Sequence, residues 1–160
     1  MFKLRRKAFT LLEVTFVIVI IGILSAVAIP KLAATADDAE ITSAINTVAS
    51  VRNAIAVERQ KRILRGDFTP INDLAQVTGT NEFIFDVFNV DNLGNRNPVL
   101  EYPLRACESG TARGCWMEIA GPLYRYRFPH NTTNVDFNIT NNRFDCIATV
   151  SDEDCDLLTR

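Results

Sequence analysis

Glu13 is the residue whose type and position most need a chemical explanation. It is the only charged residue among the 21 positions 9–29. A carboxylate inside a membrane-length helix costs roughly a few kcal/mol or more, and such residues are generally kept for a function. In a low dielectric, the carboxylate would attract a cation much more strongly than it does in water. The alternative is a glutamate that is protonated or that reaches the membrane interface.

Four cysteines, all in the C-terminal third, are the second set of reactive residues. They contain no Cys-x-x-Cys pair, and the single histidine, His130, is not at ligand spacing from any of them, which argues against zinc. An even number of cysteines beyond a membrane-length segment favours two disulfides in an oxidising compartment. We favour the pairs Cys107–Cys115 and Cys146–Cys155 because they close the shortest loops. Free buried thiols are the alternative.

The sequence does not predict an enzyme. His130 lies between a proline and an asparagine in a predicted turn, and we identify no Ser/His/Asp order, glycine-rich phosphate loop or inward carboxylate pair. Residues 1–8 hold 4 of the 17 basic residues, so residues 9–160 have 13 basic and 19 acidic residues and a net charge of −6. This charge argues against general nucleic-acid binding outside a competence role.

The element that must position Glu13 is a helix long enough to span a membrane. Residues 9–29 would extend about 31 Å as a helix, which matches the hydrocarbon core of a bilayer. The preceding leader, residues 1–8, holds four basic residues and should stay in the cytoplasm, so that the C-terminus is directed outward. An ordinary signal peptide is the alternative, with small residues at 25–28 as its cleavage site, although its apolar region would be shorter.

The segment Lys7-Ala8-Phe9-Thr10-Leu11-Leu12-Glu13-Val14 resembles the processing site of type IV pilins and type II secretion pseudopilins. The shared features are a basic leader, a small residue before Phe9, a glutamate fifth in the mature chain, an unbroken apolar run and Pro30 after it. The resemblance covers residues 1 to about 65. It implies cleavage between Ala8 and Phe9 by a prepilin peptidase, followed by N-methylation of Phe9. The family usually has glycine where this chain has Ala8.

The resemblance also implies a role for Glu13 and a set of partners. In a filament, the Glu13 carboxylate could pair with the Phe9 ammonium of a neighbouring subunit. The implied function is a structural subunit of a type IV pilus or type II secretion-like pseudopilus. Its partners would be other pilin or pseudopilin subunits, the prepilin peptidase/methyltransferase and an inner-membrane assembly platform. The protein would cross the bacterial inner membrane once, with its C-terminus in the periplasm, and then enter the filament.

Two other functions remain open. One is a minor pilin whose head binds a ligand or DNA at the filament tip. The other is a plain single-span anchored periplasmic domain, which would need no processing. Low copy number with loss of adhesion or transformation would indicate the first, and indifference to a prepilin peptidase would indicate the second.

The expected fold class is α+β, with a long kinked helix packed on a small antiparallel sheet. Residues 1–8 are the leader, residues 9–29 the membrane or filament-core half of the helix, and residues 30–160 a periplasmic pilin-like domain. Pro30 should kink or loosen the helix. Beyond it, residues 31–65 continue the helix to a stop near Gly66. Its apolar stripe would pack on the sheet, and consists of Ile41, Ile45, Val48, Val51 and Ile55. The charged residues, Glu58 and Arg62 among them, should lie on the opposite, exposed face.

Alternation of residue types predicts the strands of the sheet. Residues 123–128 and 135–140 alternate aromatic or aliphatic residues with polar ones, and a turn at Asn141-Asn142 returns the chain into a third strand. Arg125 and Arg127 can then lie opposite Asp136 or Asp145. Prolines on both sides of residues 99–102 suggest an edge strand, and Thr69-Pro70 suggests the start of a short helix to about residue 77.

Two further sites are weaker interpretations of local sequence. The turn-rich loop at residues 91–98 has carboxylate and amide oxygens that could suit calcium, but it lacks EF-hand spacing and we favour a solvated turn; no other cofactor is predicted. Asn138-Ile139-Thr140 is a glycosylation acceptor tripeptide, and Asp136 before it resembles the extended acidic sequon of some bacterial oligosaccharyltransferases. An ordinary strand is the alternative there.

Overall fold

The computed structural model describes residues 9–75, 82–120, 122–129, 133–147 and 152–159. The chain divides into two units, one ending at Ala36 and one beginning at Asp37. The elements are α1 (Leu11–Leu64), β1 (Phe83–Ile84), β2 (Leu104–Arg105), β3 (Cys115–Ala120), β4 (Leu123–Arg127), β5 (Asn134–Thr140), β6 (Arg143–Ile147) and α2 (Asp152–Thr159). This confirms the α+β, pilin-like arrangement.

The first unit contains the apolar part of α1. The helix begins at Leu11, two residues after the expected start, and passes through Pro30 as continuous helix. A proline in a helix interior removes one backbone donor, and the kink at Pro30 stays a prediction.

The second unit contains the polar part of α1, which packs on the sheet through the expected stripe. Ile41, Val48, Val51 and Ile55 are buried in the core, and Ile45 packs against it while partly exposed. The helix ends at Leu64, and Gly66, the predicted stop, follows it with a φ of +76°. The Gly66 N–H donates to the Ile63 carbonyl at 2.9 Å and the Asp67 N–H to the Arg62 carbonyl at 2.8 Å. This is the Schellman pattern of helix termination.

Strands β3 to β6 form one antiparallel sheet in sequential order, and β1 pairs with β2 separately. The predicted strands at 123–128 and 135–140 are confirmed. Asn141 and Asn142 both have positive φ, 54° and 62°, as a two-residue type I′ hairpin requires. The inward-facing residues of the sheet are Trp116, Glu118, Tyr124, Tyr126, Val135, Phe137, Ile139 and Phe144.

Glu58 and Arg62 were wrongly expected on the exposed face of the helix. They are 2% and 0% exposed and form a salt bridge of 2.9 Å between Arg62 Nε and Glu58 Oε1. The loop at residues 89–97 covers them. Arg62 Nη2 donates to the Asn89 carbonyl at 2.7 Å, and Asn97 Nδ2 donates to Glu58 Oε1 at 3.0 Å. Their charge alone suggested exposure, whereas the spacings of three and seven residues from Ile55 place Glu58 and Arg62 in line with the buried stripe.

Two other local predictions were wrong. Residues 69–75 are not helical. The Leu74 N–H, which in a helix would donate to the Pro70 carbonyl, donates to the Tyr124 hydroxyl at 2.8 Å, and the Pro70 carbonyl accepts from Asn89 Nδ2 at 3.0 Å. Residues 99–102 form no strand; the Val99 N–H donates to the Asp86 carbonyl, and the strand β2 follows at Leu104–Arg105. Residues 76–77 lie outside the described part of the chain.

Two elements were not anticipated. Strand β3 carries apolar residues on both faces and so lacks a clear alternation. Helix α2 lies in the acidic C-terminal tail.

Candidate assembly site

Thr10 and Glu13 form the first turn of α1. The Thr10 hydroxyl oxygen accepts a hydrogen bond from the Glu13 N–H at 3.2 Å, so Thr10 is the N-cap and Glu13 is the third helical residue. A Thr-x-x-Glu sequence at this position is the pattern of a capping box. A glutamate in the first turn is also favoured by the positive end of the helix dipole. Glu13 therefore has a local role in the helix that does not depend on a second subunit.

The apolar part of α1 is exposed along its whole length. An 18-residue window of the helix has a mean hydropathy of 2.7, and none of it is buried. By length and composition alone this is a candidate membrane span, although a signal sequence near an N-terminus would meet the same description. The exposed large apolar residues in this part are Phe9, Leu11, Leu12, Val14, Phe16, Val17, Ile18, Val19, Ile20, Ile21, Ile23, Leu24, Val27, Ile29 and Leu32. Such a surface requires lipid or another apolar surface to cover it.

The predicted processing site is only partly described. Ala8 lies outside the described residues, and Phe9 precedes the helix with 78% of its surface exposed. The residues on either side of Glu13 are also exposed, and the next charged residue after it is Lys31. Glu13 therefore lies among exposed apolar side chains, which lipid or another protein surface must cover.

Two disulfides are present in the second unit, Cys107–Cys115 and Cys146–Cys155. These are the short-loop pairs favoured from the sequence. The first closes the loop before β3. The second joins β6 to α2, whose Leu158 is buried in the core, and so attaches the C-terminal helix to the sheet.

The remaining predicted sites are separate from one another. Arg125 and Asp136 face each other on β4 and β5, as expected, with Arg125 Nε 2.6 Å and Nη2 2.8 Å from the two Asp136 oxygens. This bidentate bond raises the pKa of Arg125. Asn138 is half-buried on β5, and its use as an acceptor for glycans stays a prediction. His130 lies outside the described residues.

The loop predicted as a possible calcium site is organised around Asp91. Its Oδ1 accepts from the N–H groups of Leu93 and Asn95, at 2.9 and 2.8 Å, and its Oδ2 lies 3.2 Å from Arg65 Nη2. The hydrogen bond from Asn95 lowers the pKa of Asp91. The described residues contain no group of three or more His, Cys, Asp or Glu placed to hold a metal. Calcium stays an untested prediction.

Glu118 is a buried carboxyl group that sequence reasoning missed. It is 4% exposed, faces inward from β3 opposite Tyr124, and its Oε2 has no hydrogen-bond partner among the described residues. Burial, together with the charges of Asp73 and Asp86, raises the pKa of Glu118 to about 7. Burial likewise raises the pKa of Tyr124, whose hydroxyl donates to Asp73 at 2.8 Å. The apolar residues on both sides of Glu118 in β3 could have indicated that this carboxyl group is buried.

The described part of the chain combines two features that define a class of protein. One is an exposed apolar N-terminal helical segment whose first turn contains Glu13. The other is an α+β unit with two disulfides. The family model of the prokaryotic N-terminal methylation motif matches residues 3–29. The resemblance to pilins, stated from the residues around Glu13, is confirmed for this segment.

Part of the chain is also similar to a curated pilin. Over 54 residues, the chain is 46% identical to the type IV narrow pilus major component PilA5 of Thermus thermophilus. The matched stretch is 34% of this chain and 47% of that protein, so the chain covers about half the length of this curated relative. No solved structure matches the chain significantly.

Proposed function

We propose that the chain is a structural subunit of a type IV pilus or a type II secretion-like pseudopilus. The observation that carries the proposal is the wholly exposed apolar part of α1, with Glu13 in its capped first turn, inside the matched methylation motif. Before assembly, lipid covers this surface. In the filament, the same surface of neighbouring subunits covers it, and the free energy of apolar burial holds the subunits together.

Processing prepares Glu13 for this role. Cleavage between Ala8 and Phe9 removes the basic leader and creates a new amine at Phe9, which is then methylated. The amine of an incoming subunit pairs with the Glu13 carboxylate of a subunit already in the filament. Because the pair lies among apolar helices, its attraction is strong, and an unpaired Glu13 is costly. Pairing therefore favours assembly and sets the register of the subunits.

The leader's positive charge places residues 1–8 in the cytoplasm and residues 30–160 in the periplasm, with residues 9–29 crossing the inner membrane. Two disulfides suit an oxidising periplasm. The partners are other pilin or pseudopilin subunits, the prepilin peptidase/methyltransferase and the inner-membrane assembly platform. The proposal needs no catalytic residue and no cofactor.

Mass spectrometry of the membrane form tests the proposal. We expect a chain that begins at N-methylated Phe9, and a chain that keeps its leader when the prepilin peptidase is deleted. Filament fractions should contain the shortened chain only. A mature protein that still begins at Met1 and keeps its size without the peptidase would contradict the proposal and indicate a plain anchored domain.

A further inference from the structure

The charges of α1 are separated along its length within the second unit. Residues 37–40 hold three acidic residues, residues 41–51 hold no charged residue, and residues 52–65 hold five basic residues and one buried acid. The helix dipole favours bases in the last turn, but it does not explain the acids, because the start of α1 lies far upstream of them. Among the described residues, Asp38 and Glu40 are exposed and form no ion pair, so their charge is available to a partner.

The basic end of α1 carries an exposed surface that we call the helix-end patch. It consists of Val57, Lys61, Leu64 and Phe68. Spacings of four and three residues place the first three on one face of the helix, and Phe68 follows the turn at Gly66. Val57, Leu64 and Phe68 are 41%, 87% and 71% exposed. Lys61 is exposed and has no ion-pair partner in the described part of the chain, so the patch combines a positive charge with large apolar side chains.

Phe68 is held at the surface by its neighbours in the chain. Asp67 is buried, its N–H donates to the Arg62 carbonyl at 2.8 Å, and its Oδ1 accepts from the Thr69 N–H at 2.8 Å. The backbone on both sides of Phe68 is therefore fixed, and the ring stays outside the core although the chain around it is ordered. A large apolar side chain that is exposed on a fixed backbone is ready to bind a partner, because little conformational entropy is lost on contact.

The size and charge of the patch suit a contact between copies of this chain. Its three apolar side chains expose roughly a few hundred Å², well below the ~800 Å² per partner of a stable interface. The patch therefore needs other contacts to hold the copies together, as the apolar segment of α1 does in the proposed filament. Residues 37–40 of a second copy offer the complementary surface. Asp38 and Glu40 are negative there, and the small Ala39 between them leaves room for large side chains.

We propose that the helix-end patch of one subunit binds residues 37–40 of another subunit in the filament. The proposal rests on the proposed function, because copies of α1 that are parallel and stepped along one axis bring the end of one helix beside an earlier part of the next. Lys61 then contacts the acidic residues of the neighbouring subunit, while Leu64 and Phe68 cover Ala39. Each subunit uses two different surfaces, so the contact repeats along the filament without closing into a ring or dimer.

Cysteine cross-linking of the full chain in filaments tests which residues meet. All four native cysteines form disulfides, so introduced cysteines are the only free thiols. In a chain with both Asp38→Cys and Lys61→Cys, the two positions lie about 35 Å apart along one helix, too far for a short bismaleimide to join them within a subunit. We expect a ladder of cross-linked multimers from filaments. Chains with either substitution alone are the controls and should give no product, because the contact joins two different surfaces.

Charge exchange tests whether the contact is electrostatic. Lys61→Glu should lower the ratio of filament to membrane subunit about fivefold, and adding Asp38→Lys to the same chain should recover most of the loss. The matched control is Arg143→Glu, which makes the same change in net charge on a side chain that is 75% exposed and lies outside the patch. It should leave the ratio within about twofold of wild type. Mass spectrometry checks that each variant begins at N-methylated Phe9.

The outcomes separate this contact from the proposed function. Absence of the wild-type chain from filaments contradicts the proposed function, and this contact with it. If the wild-type chain enters filaments but the double-cysteine chain gives no ladder, the contact alone is overturned. Equal incorporation of Lys61→Glu and Arg143→Glu has the same meaning. A cross-link that joins the Lys61→Cys chain to a protein of another mass shows that a different subunit occupies the patch, and it also overturns the contact between copies.

Discussion

At the scale of single residues, Glu13 has two separable roles. Its N–H is capped by Thr10, which makes it part of the helix start, and its carboxylate is the lone charge of the apolar segment. Glutamine at the same position could still support a capping box but would carry no charge. The two roles therefore predict different outcomes for the same substitution.

We expect Glu13→Gln and Glu13→Ala to reduce filament incorporation to a similar extent, about tenfold or more, because both remove the charge that the proposed pairing with Phe9 requires. Thr10→Ala removes the cap but keeps the charge, and should have a smaller effect, since a cap contributes about 1 kcal/mol to a helix. The measurement is the ratio of filament to membrane subunit on quantitative immunoblots at equal membrane levels. Normal incorporation of Glu13→Gln would assign the residue to capping instead.

Glu118 illustrates how burial, together with the neighbouring charges of Asp73 and Asp86, makes a carboxyl group pH-sensitive. Its pKa is about 7 in the folded protein, against an ordinary value of 4.5. Between these values the folded state holds a proton that the unfolded chain has released, so stability falls as pH rises from about 4.5 to about 7 and then levels off. The groups that face it are Asp73, Asp86 and Tyr124.

We expect Glu118→Gln to stabilise the protein at pH 8 by about 1 to 3 kcal/mol and to flatten the fall in stability between pH 5 and 7. The free energy of unfolding is measured by denaturant titration, with Trp116 emission as the signal. The control is Glu101→Gln, which changes an exposed glutamate. Equal pH profiles for wild type and Glu118→Gln would show that the buried carboxyl does not control this dependence.

At the scale of elements, the end of α1 is held by charges rather than by its apolar stripe. Arg62 is completely buried, with Glu58 as its ion-pair partner and the Asn89 carbonyl as a second acceptor. Removing one member of such a pair leaves a buried charge without compensation, whereas replacing both by apolar residues can be nearly neutral. The pair thus fixes the loop at residues 89–97 to the helix.

We expect Arg62→Ala to lower the free energy of unfolding by about 3 kcal/mol. The double substitution Glu58→Met with Arg62→Met should cost less than this single change, because it leaves no buried charge. Lys61→Ala, on the exposed side of the same turn, is the control and should stay within about 0.5 kcal/mol of wild type. A double variant as unstable as Arg62→Ala would contradict the electrostatic explanation.

At the scale of the whole molecule, the two units differ in what covers them. Every buried core residue, from Ile41 to Leu158, lies in the second unit. The large apolar residues that the structure describes in the first unit are exposed, so that unit depends on lipid or on another apolar surface to cover them.

We therefore expect a chain that starts at Asp37 to fold and to remain monomeric in buffer without detergent. The full chain should need detergent, because only it carries the exposed apolar segment. Circular dichroism, disulfide mapping and analytical ultracentrifugation are the measurements. A truncated chain that is unfolded, or that aggregates with both disulfides formed, would show that the core of the second unit is insufficient by itself.

The sequence predicted those features that depend on neighbours along the chain. The exposed apolar segment, the stripe from Ile41 to Ile55, the stop at Gly66 and the hairpin at Asn141-Asn142 all follow from periodicity and turn chemistry, and all are present. The two disulfides were predictable for the same reason, because each joins cysteines only 8 or 9 residues apart in the sequence. The failures at residues 69–75 and 99–102 arose where distant groups compete for backbone hydrogen bonds.

The sequence by itself identified the N-terminal segment of this protein. The basic leader, the apolar run and its single charge, Glu13, are recognisable from residue types alone, before any fold is known. Only the tertiary structure decided that Glu58, Arg62 and Glu118 are buried. The physical reason is that burial depends on which remote segment covers a residue, so a charged residue is expected to be exposed until the covering loop or strand is known.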